Sequence, residues 1–193
     1  MTEASGAGSH AEGGGTRSTG GYSHAEGSGS LALGDYSHAE GQGTIAHKNQ
    51  HVMGRWNVEN EGTSNYWYLE IVGNGTSASA PHNARTLDSS GNEWIAGRLT
   101  QASDNRLKTE SGEVPDMSAI PARRFKWNDN KVNHDDKEHL GYFAQDVEAV
   151  APYLVDEDAM GYKSLDYIGV LVAKIASLEK RVAELENASK TTR

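Results

Sequence analysis

Apolar residues recur at Ile168, Leu171, Ile175, Leu178, Val182 and Leu185, at spacings of 3, 4, 3, 4 and 3. That alternation lays one stripe along an α-helix, with isoleucine and valine at heptad position a and leucine at d. Glu179, Lys180, Arg181, Glu184 and Glu186 fill the solvated sides, so a terminal helix from about residue 165 is expected. Ser164 reads as its N-cap, and Asp166 as an acid in the first turn, where the helix dipole favours it. The stripe suits either a coiled coil or an amphipathic helix packed on its own domain. β-Branched a positions with leucine at d favour two strands.

The first half of the chain has a different order. Leucine and isoleucine are rare there and glycine is abundant. Ser-His-Ala-Glu-Gly occurs at Ser9–Gly13, Ser23–Gly27 and Ser37–Gly41, at an even interval of fourteen (23 − 9 and 37 − 23). A fixed short period with a glycine in each copy predicts a solenoid over residues 1–50, each coil covering the next. Equivalent residues then form ladders, His10, His24 and His38 on one line and Glu12, Glu26 and Glu40 on another. Histidine and glutamate are metal ligands in principle. Histidines hydrogen-bonded to neighbouring coils account for the spacing by themselves, so no metal and no cofactor is expected.

Beyond His51 the tryptophans Trp56, Trp67 and Trp94 and several tyrosines enter. Tyr66–Val72 is rich in strand formers and precedes Gly73-Asn74-Gly75, a turn signal. Arg85–Asp88 and Glu93–Gly97 read as two further strands around Ser89–Asn92. Residues 51–102 are therefore expected to be a β-rich connector. Its aromatic residues could stack on sugars, but an interchain core is the better account. Glu59, Glu61 and Glu70 resemble glycosidase carboxylates by residue type alone.

Composition sharpens this picture. Hydrophobic residues make up 36% of 193, too few to fill a core comfortably in one copy. Sharing a core between copies is the natural remedy. The net charge is −9, with ten acidic against five basic side chains in residues 1–100 and 17 against 13 after them. No basic stripe exists to neutralise phosphates, which argues against nucleic acid and anionic membrane as partners. Cysteine is absent, and no apolar run reaches the ~20 residues needed to span a bilayer. The N-terminus lacks an apolar signal stretch. Because the repeats begin almost at Met1, the chain reads as the tail of a longer polypeptide.

The densest chemistry lies in Ser103-Asp104-Asn105-Arg106-Leu107-Lys108. A serine five residues before a lysine forms a Ser–Lys dyad if the loop folds back. The hydroxyl needs a base to become a nucleophile. Lysine titrates near 10.4 and stays charged in water, whereas burial lowers that value by as much as 3–5 units. A buried Lys108 could take the proton; a solvated one could not. Activity would then await assembly.

The same segment resembles the S-D-x-R-L-K opening of the peptidase S74 family, the endosialidase-type intramolecular chaperones. Leu140–Val147 is similar to that family's G-x-x-A-Q-x-V element, followed in order by Pro152–Val155, Ser164–Tyr167 and a terminal helix. The resemblance spans 103–193. It implies cleavage at Ala102–Ser103, with Ser103 as nucleophile and Lys108 as base. On the residues themselves, apart from the resemblance, Asp104 and Arg106 are expected to hold the loop through a charge pair; Gln145 either braces the site or, the better account, has a purely structural role.

The repeats over residues 5–47 resemble the left-handed β-roll of YadA-like trimeric adhesin heads, which also recurs in phage tail proteins. Together the two resemblances imply a mainly β N-terminal half, a trimeric β-roll with a short-strand connector. An α+β chaperone domain follows, ending in a trimeric coiled-coil helix. The implied protein is a phage tail fibre or spike in the virion, a homotrimer assembled in the host cytoplasm. Its implied partners are the rest of the fibre or baseplate upstream and a host surface receptor, glycan or protein. The repeat face would be either receptor-facing or a stiff spacer. The implied enzyme is a self-cleaving serine endopeptidase without turnover on other substrates. A bacterial trimeric adhesin-type binding protein with a non-cleaving trimerisation domain is the alternative.

Overall fold

In the computed structural model, which describes residues 1–60, 68–128 and 137–191, eight short strands alternate between two sheets. They are β1 (Glu3–Ala4), β2 (His10–Ala11), β3 (Arg17–Ser18), β4 (His24–Ser28), β5 (Leu31–Ala32), β6 (His38–Gln42), β7 (Ile45–Ala46) and β8 (His51–Arg55). Odd-numbered strands form one parallel sheet in the order β1-β3-β5-β7, and even-numbered strands stack as β2-β4-β6-β8 in the other. Each coil thus contributes one strand to each sheet and stacks on its neighbour, a β-solenoid-like arrangement.

The register keeps like residues together: His24 pairs with His38, Ala25 with Ala39, Glu26 with Glu40 and Gly27 with Gly41. Strand alternation then turns the alanines inward and the histidines and glutamates outward. Ala25, Ala32, Ala39, Ala46, Val52 and Ile71 are fully buried. Serine and threonine share this thin interior because they find partners there. Ser18 and Ser23 hydroxyls meet at 2.6 Å, and Thr44 Oγ1 donates to Ser30 Oγ at 3.0 Å. At the outer edge of β7 the Asn57 amide takes the place of another strand, accepting from Ile45 N–H at 2.8 Å and donating to Ile45 C=O at 3.0 Å.

The even sheet continues past the identical repeats. β8 follows β6 one position early (51 − 38 against 38 − 24), and β9 (Tyr68–Asn74) lies parallel to β8. β10 (Asn83–Asp88) and β11 (Glu93–Ile95) then close the sheet antiparallel. Gly73 and Asn74 remain within β9, so the chain does not reverse at Gly73-Asn74-Gly75. It reverses beyond, where Ser77 and Ala80 form a bridge. Tyr66 and Trp67 of the expected strand lie outside the described residues, as does Glu61.

The chain divides into two compact units, Met1–Ala102 and Ser103–Arg193. In the second, β12 (Arg123–Phe125) pairs with β13 (His139–Gly141), the short helix α1 (Ala144–Glu148) follows, and β14 (Val155–Glu157) pairs with β15 (Lys163–Leu165). The long helix α2 (Tyr167–Thr191) completes it. Met117, Ile120, Val147, Ala151, Leu154, Val170 and Ala173 form the core. Ser164 sits within β15 and does not cap α2. Asp166 does, its carboxylate accepting from Gly169 N–H at 3.0 Å. Among the described residues no helix is long and apolar enough to cross a membrane.

Candidate functional site

Ser103 opens the second unit, and a single tight turn returns the chain toward it. The turn is one 3-10 helical turn, Asn105–Leu107, and Asp104 caps it. The Asp104 backbone is extended (φ −65°, ψ 130°), which frees its carboxylate to accept from Arg106 N–H at 2.9 Å. The Arg106 guanidinium grips the same carboxylate, with Nε at 3.0 Å from Oδ1 and Nη2 at 2.6 Å from Oδ2. Leu107 N–H donates to Asp104 C=O at 3.0 Å and Lys108 N–H to Asn105 C=O at 3.2 Å. These bonds fold the segment from Ser103 to Lys108 into a hook. At its mouth Lys108 Nζ donates to Ser103 Oγ at 2.9 Å.

The electrostatics of the hook follow from that pairing. The Arg106 guanidinium, and after it the Arg106 amide, hold the Asp104 carboxyl below its ordinary value; Asp104 in turn raises Arg106. Ser103, Asp104, Arg106 and Lys108 are all exposed in the single chain. Gln145 lies on α1, also exposed, and among the described residues no hydrogen bond joins it to Ser103 or Lys108. Within its own unit α1 is tied elsewhere, through Asp146 to Arg123 at 2.9 Å.

The terminal helix splits its apolar residues between two faces. Val170 and Ala173 face the core, and Ser177 Oγ accepts from Met117 N–H at 2.9 Å. The stripe from Ile168 to Leu185 is on neither of these anchoring positions and is exposed throughout, with Ile175 at 56% and Leu178 at 61%. The amphipathic-helix alternative therefore fails for this stripe: the helix docks on its own domain with other residues. From Leu178 to Thr191 every residue is exposed.

The histidine ladder runs one coil further than the repeats, through His51. Ring centroids of His24, His38 and His51 are 4.8 Å apart at each step and nearly parallel. Nε2 of His24, His38 and His51 is buried and makes no hydrogen bond, and carboxylates of the neighbouring coil stand only at ion-pair distance, Glu26 3.5 Å from His38 and Glu40 3.6 Å from His51. Parallel in-register stacking points these atoms the same way, so neighbouring rings offer one another nothing to bond. The carboxylates considered for glycan hydrolysis are engaged elsewhere, Glu59 with His47 at 3.3 Å and Glu70 with Arg85 at 3.0 Å.

No curated protein matches this chain. Residues 103–156, beginning on Ser103 and ending within β14, match the peptidase S74 family, the chaperone of endosialidase.

Proposed function

We propose that this chain is the C-terminal part of a phage tail fibre or spike, in which residues 103–193 act as an intramolecular chaperone for homotrimer assembly and then cut themselves free at Ala102–Ser103. The observation that carries this reading is the 2.9 Å contact between Lys108 Nζ and Ser103 Oγ, placed at the first residue of the family match.

The chemistry balances with the chain's own groups and water. Neutral Lys108 accepts the hydroxyl proton as Ser103 Oγ attacks the Ala102 carbonyl carbon. The Ala102–Ser103 C–N bond breaks, and the departing Ser103 nitrogen takes the proton back from Lys108. Water then hydrolyses the ester on Ser103 Oγ. The products are an Ala102 carboxylate and a free Ser103 amine, on fragments covering 1–102 and 103–193. Lys108 is exposed in one chain, so the burial that favours a neutral amine must come from the other copies. Cleavage would thereby report correct assembly.

Assembly itself has a ready device. The half of α2 beyond Ser177 is a solvated helix too short to be stable alone, and the exposed stripe that runs from Ile168 to Leu185 is a seam for two more copies. Joining three chains there raises their local concentration and sets their register before the slow, non-local β-pairing upstream. Removing the template leaves a kinetically trapped fibre. The solenoid then serves host attachment in the virion, as spacer or receptor-facing surface.

Mass spectrometry of expressed protein tests this. Wild type should yield a fragment starting at Ser103, and Ser103→Ala should not. An intact trimeric chain in both would leave the non-cleaving trimeric adhesin as the surviving reading.

A further inference from the structure

We infer that His38, Glu40 and His51 form a binding site for a divalent transition-metal ion of the Zn2+ class on the outer face of the solenoid. Each residue offers one ligand atom, and these atoms lie within 4.8 Å of one another. Two are imidazole nitrogens and one is a carboxylate oxygen, a donor set that suits zinc and cobalt and not the all-oxygen shells of calcium or magnesium.

Three observations converge on this set. First, Nε2 of His38 and of His51 is buried with no hydrogen-bond partner, a state that costs free energy unless something outside the chain satisfies it. The nearest carboxylates, Glu26 to His38 at 3.5 Å and Glu40 to His51 at 3.6 Å, are too far for good hydrogen bonds. Second, His38 and His51 are register partners on adjacent parallel strands, so both rings leave the same face of the sheet. Third, Glu40 has a carboxylate neighbour on one side only, Glu26 of the coil before it. In the β8 coil Met53 stands where the earlier coils carry glutamate, which leaves Glu40 without a carboxylate in the coil above. The other candidate set, Glu12, His24 and Glu26, has two carboxylates and only one imidazole.

A tetrahedral ion with bonds of about 2.05 Å needs its ligand atoms roughly 3.3 Å apart. The rings must therefore leave their nearly parallel stack and turn toward one another by rotation about χ1 and χ2. These side chains have room to do so, being 35%, 36% and 42% exposed for His38, Glu40 and His51. Their alternate neighbours Ala39 and Val52 carry the packing instead. Water completes the fourth position. The ion would tie β6 to β8 at the step where the repeat loses one position.

The test uses the full chain stripped with chelator and titrated with Co2+ followed by absorption and with Zn2+ followed by calorimetry. The expected result is one ion per chain, tetrahedral Co2+ bands, and a higher melting temperature with Zn2+. Glu40→Gln and His51→Gln should each weaken binding by about tenfold or more, whereas His82→Gln and His139→Gln leave it unchanged. Glu40 lies outside the core, so Glu40→Gln carries the test even where His51→Gln unfolds. Absence of Co2+ bands and Zn2+ heat in wild type overturns the site. So does unchanged affinity in Glu40→Gln, or a loss that follows His82 or His139.

Discussion

Lys108 Nζ meets Ser103 Oγ at 2.9 Å because a carboxylate-capped turn folds the intervening chain back on itself. The contact is local and lies wholly within one chain. Lys108 is exposed there, so the proposed mechanism has its geometry in the single chain and needs burial from assembly. Reactivity is thus separable from geometry.

Replacing the base tests that separation. Lys108→Met keeps an unbranched side chain, one atom shorter, and removes the proton acceptor. Loss of a general base costs roughly 10²–10⁴ in rate, so the fragment beginning at Ser103 should fall below detection on a denaturing gel. Trimer mass should be retained. Undiminished cleavage in Lys108→Met would assign the base to another group.

The exposed stripe of α2 makes a second prediction. Leu178 is 61% exposed in one chain, so a charge there costs the folded monomer little. Inside a three-chain seam it would be an uncompensated buried charge. Leu178→Asp should therefore lower the native mass from three copies to one, and abolish cleavage with it. A monomer that still cleaves would break the proposed link between assembly and Lys108.

Much of this is legible in the residues, and the failures have physical causes. Three identical Ser-His-Ala-Glu-Gly copies announce the coils because parallel in-register stacking rewards identity. The fourth coil, His51–Arg55, is hidden: its step is one position short, valine replaces alanine and methionine replaces glutamate. Only its histidine and glycine survive as signals, His51 in line with His38 and Gly54 in one column with Gly13, Gly27, Gly41 and Gly73. The helix stripe is plain from its period, but the cap is Asp166 and not Ser164 because β15 runs through Ser164 up to Leu165. The spacing of Ser103 and Lys108 suggests a dyad; the Asp104 cap that shapes it needs the backbone. That Nε2 of His24, His38 and His51 makes no hydrogen bond is invisible in sequence, because it depends on ring orientation.

The Asp104–Arg106 pair predicts a pH response at the hook. Arg106 holds the Asp104 carboxyl below its ordinary value. A depressed folded value means the pair supports the turn fully above the ordinary carboxylate range, near 3.9, and is lost as pH falls through the lower folded value. Carboxyl carbon shifts in an NMR titration should place the Asp104 midpoint below that range. Arg106→Gln should move it upward and lengthen the average separation of Ser103 and Lys108. An Asp104 midpoint indifferent to Arg106→Gln would remove the pair from any role in shaping the site.

The glycine column gives a prediction that separates steric from conformational cost. Gly27 and Gly29 both have positive φ, +98° and +68°, and lie close together at the end of β4. A methyl group on Gly29 would meet open space, whereas one on Gly27 would overlap the carbonyl oxygen of Gly41 in the next coil. Gly29→Ala should thus incur only the positive-φ penalty, about 1–2 kcal/mol. Gly27→Ala incurs that penalty and must also push two stacked backbones apart, breaking hydrogen bonds that hold β4 to β6. Its melting temperature should therefore fall clearly below that of Gly29→Ala. Equal losses at the two positions would mean that the coils are not stacked at backbone contact, and the thin alanine-lined interior would have to be redrawn.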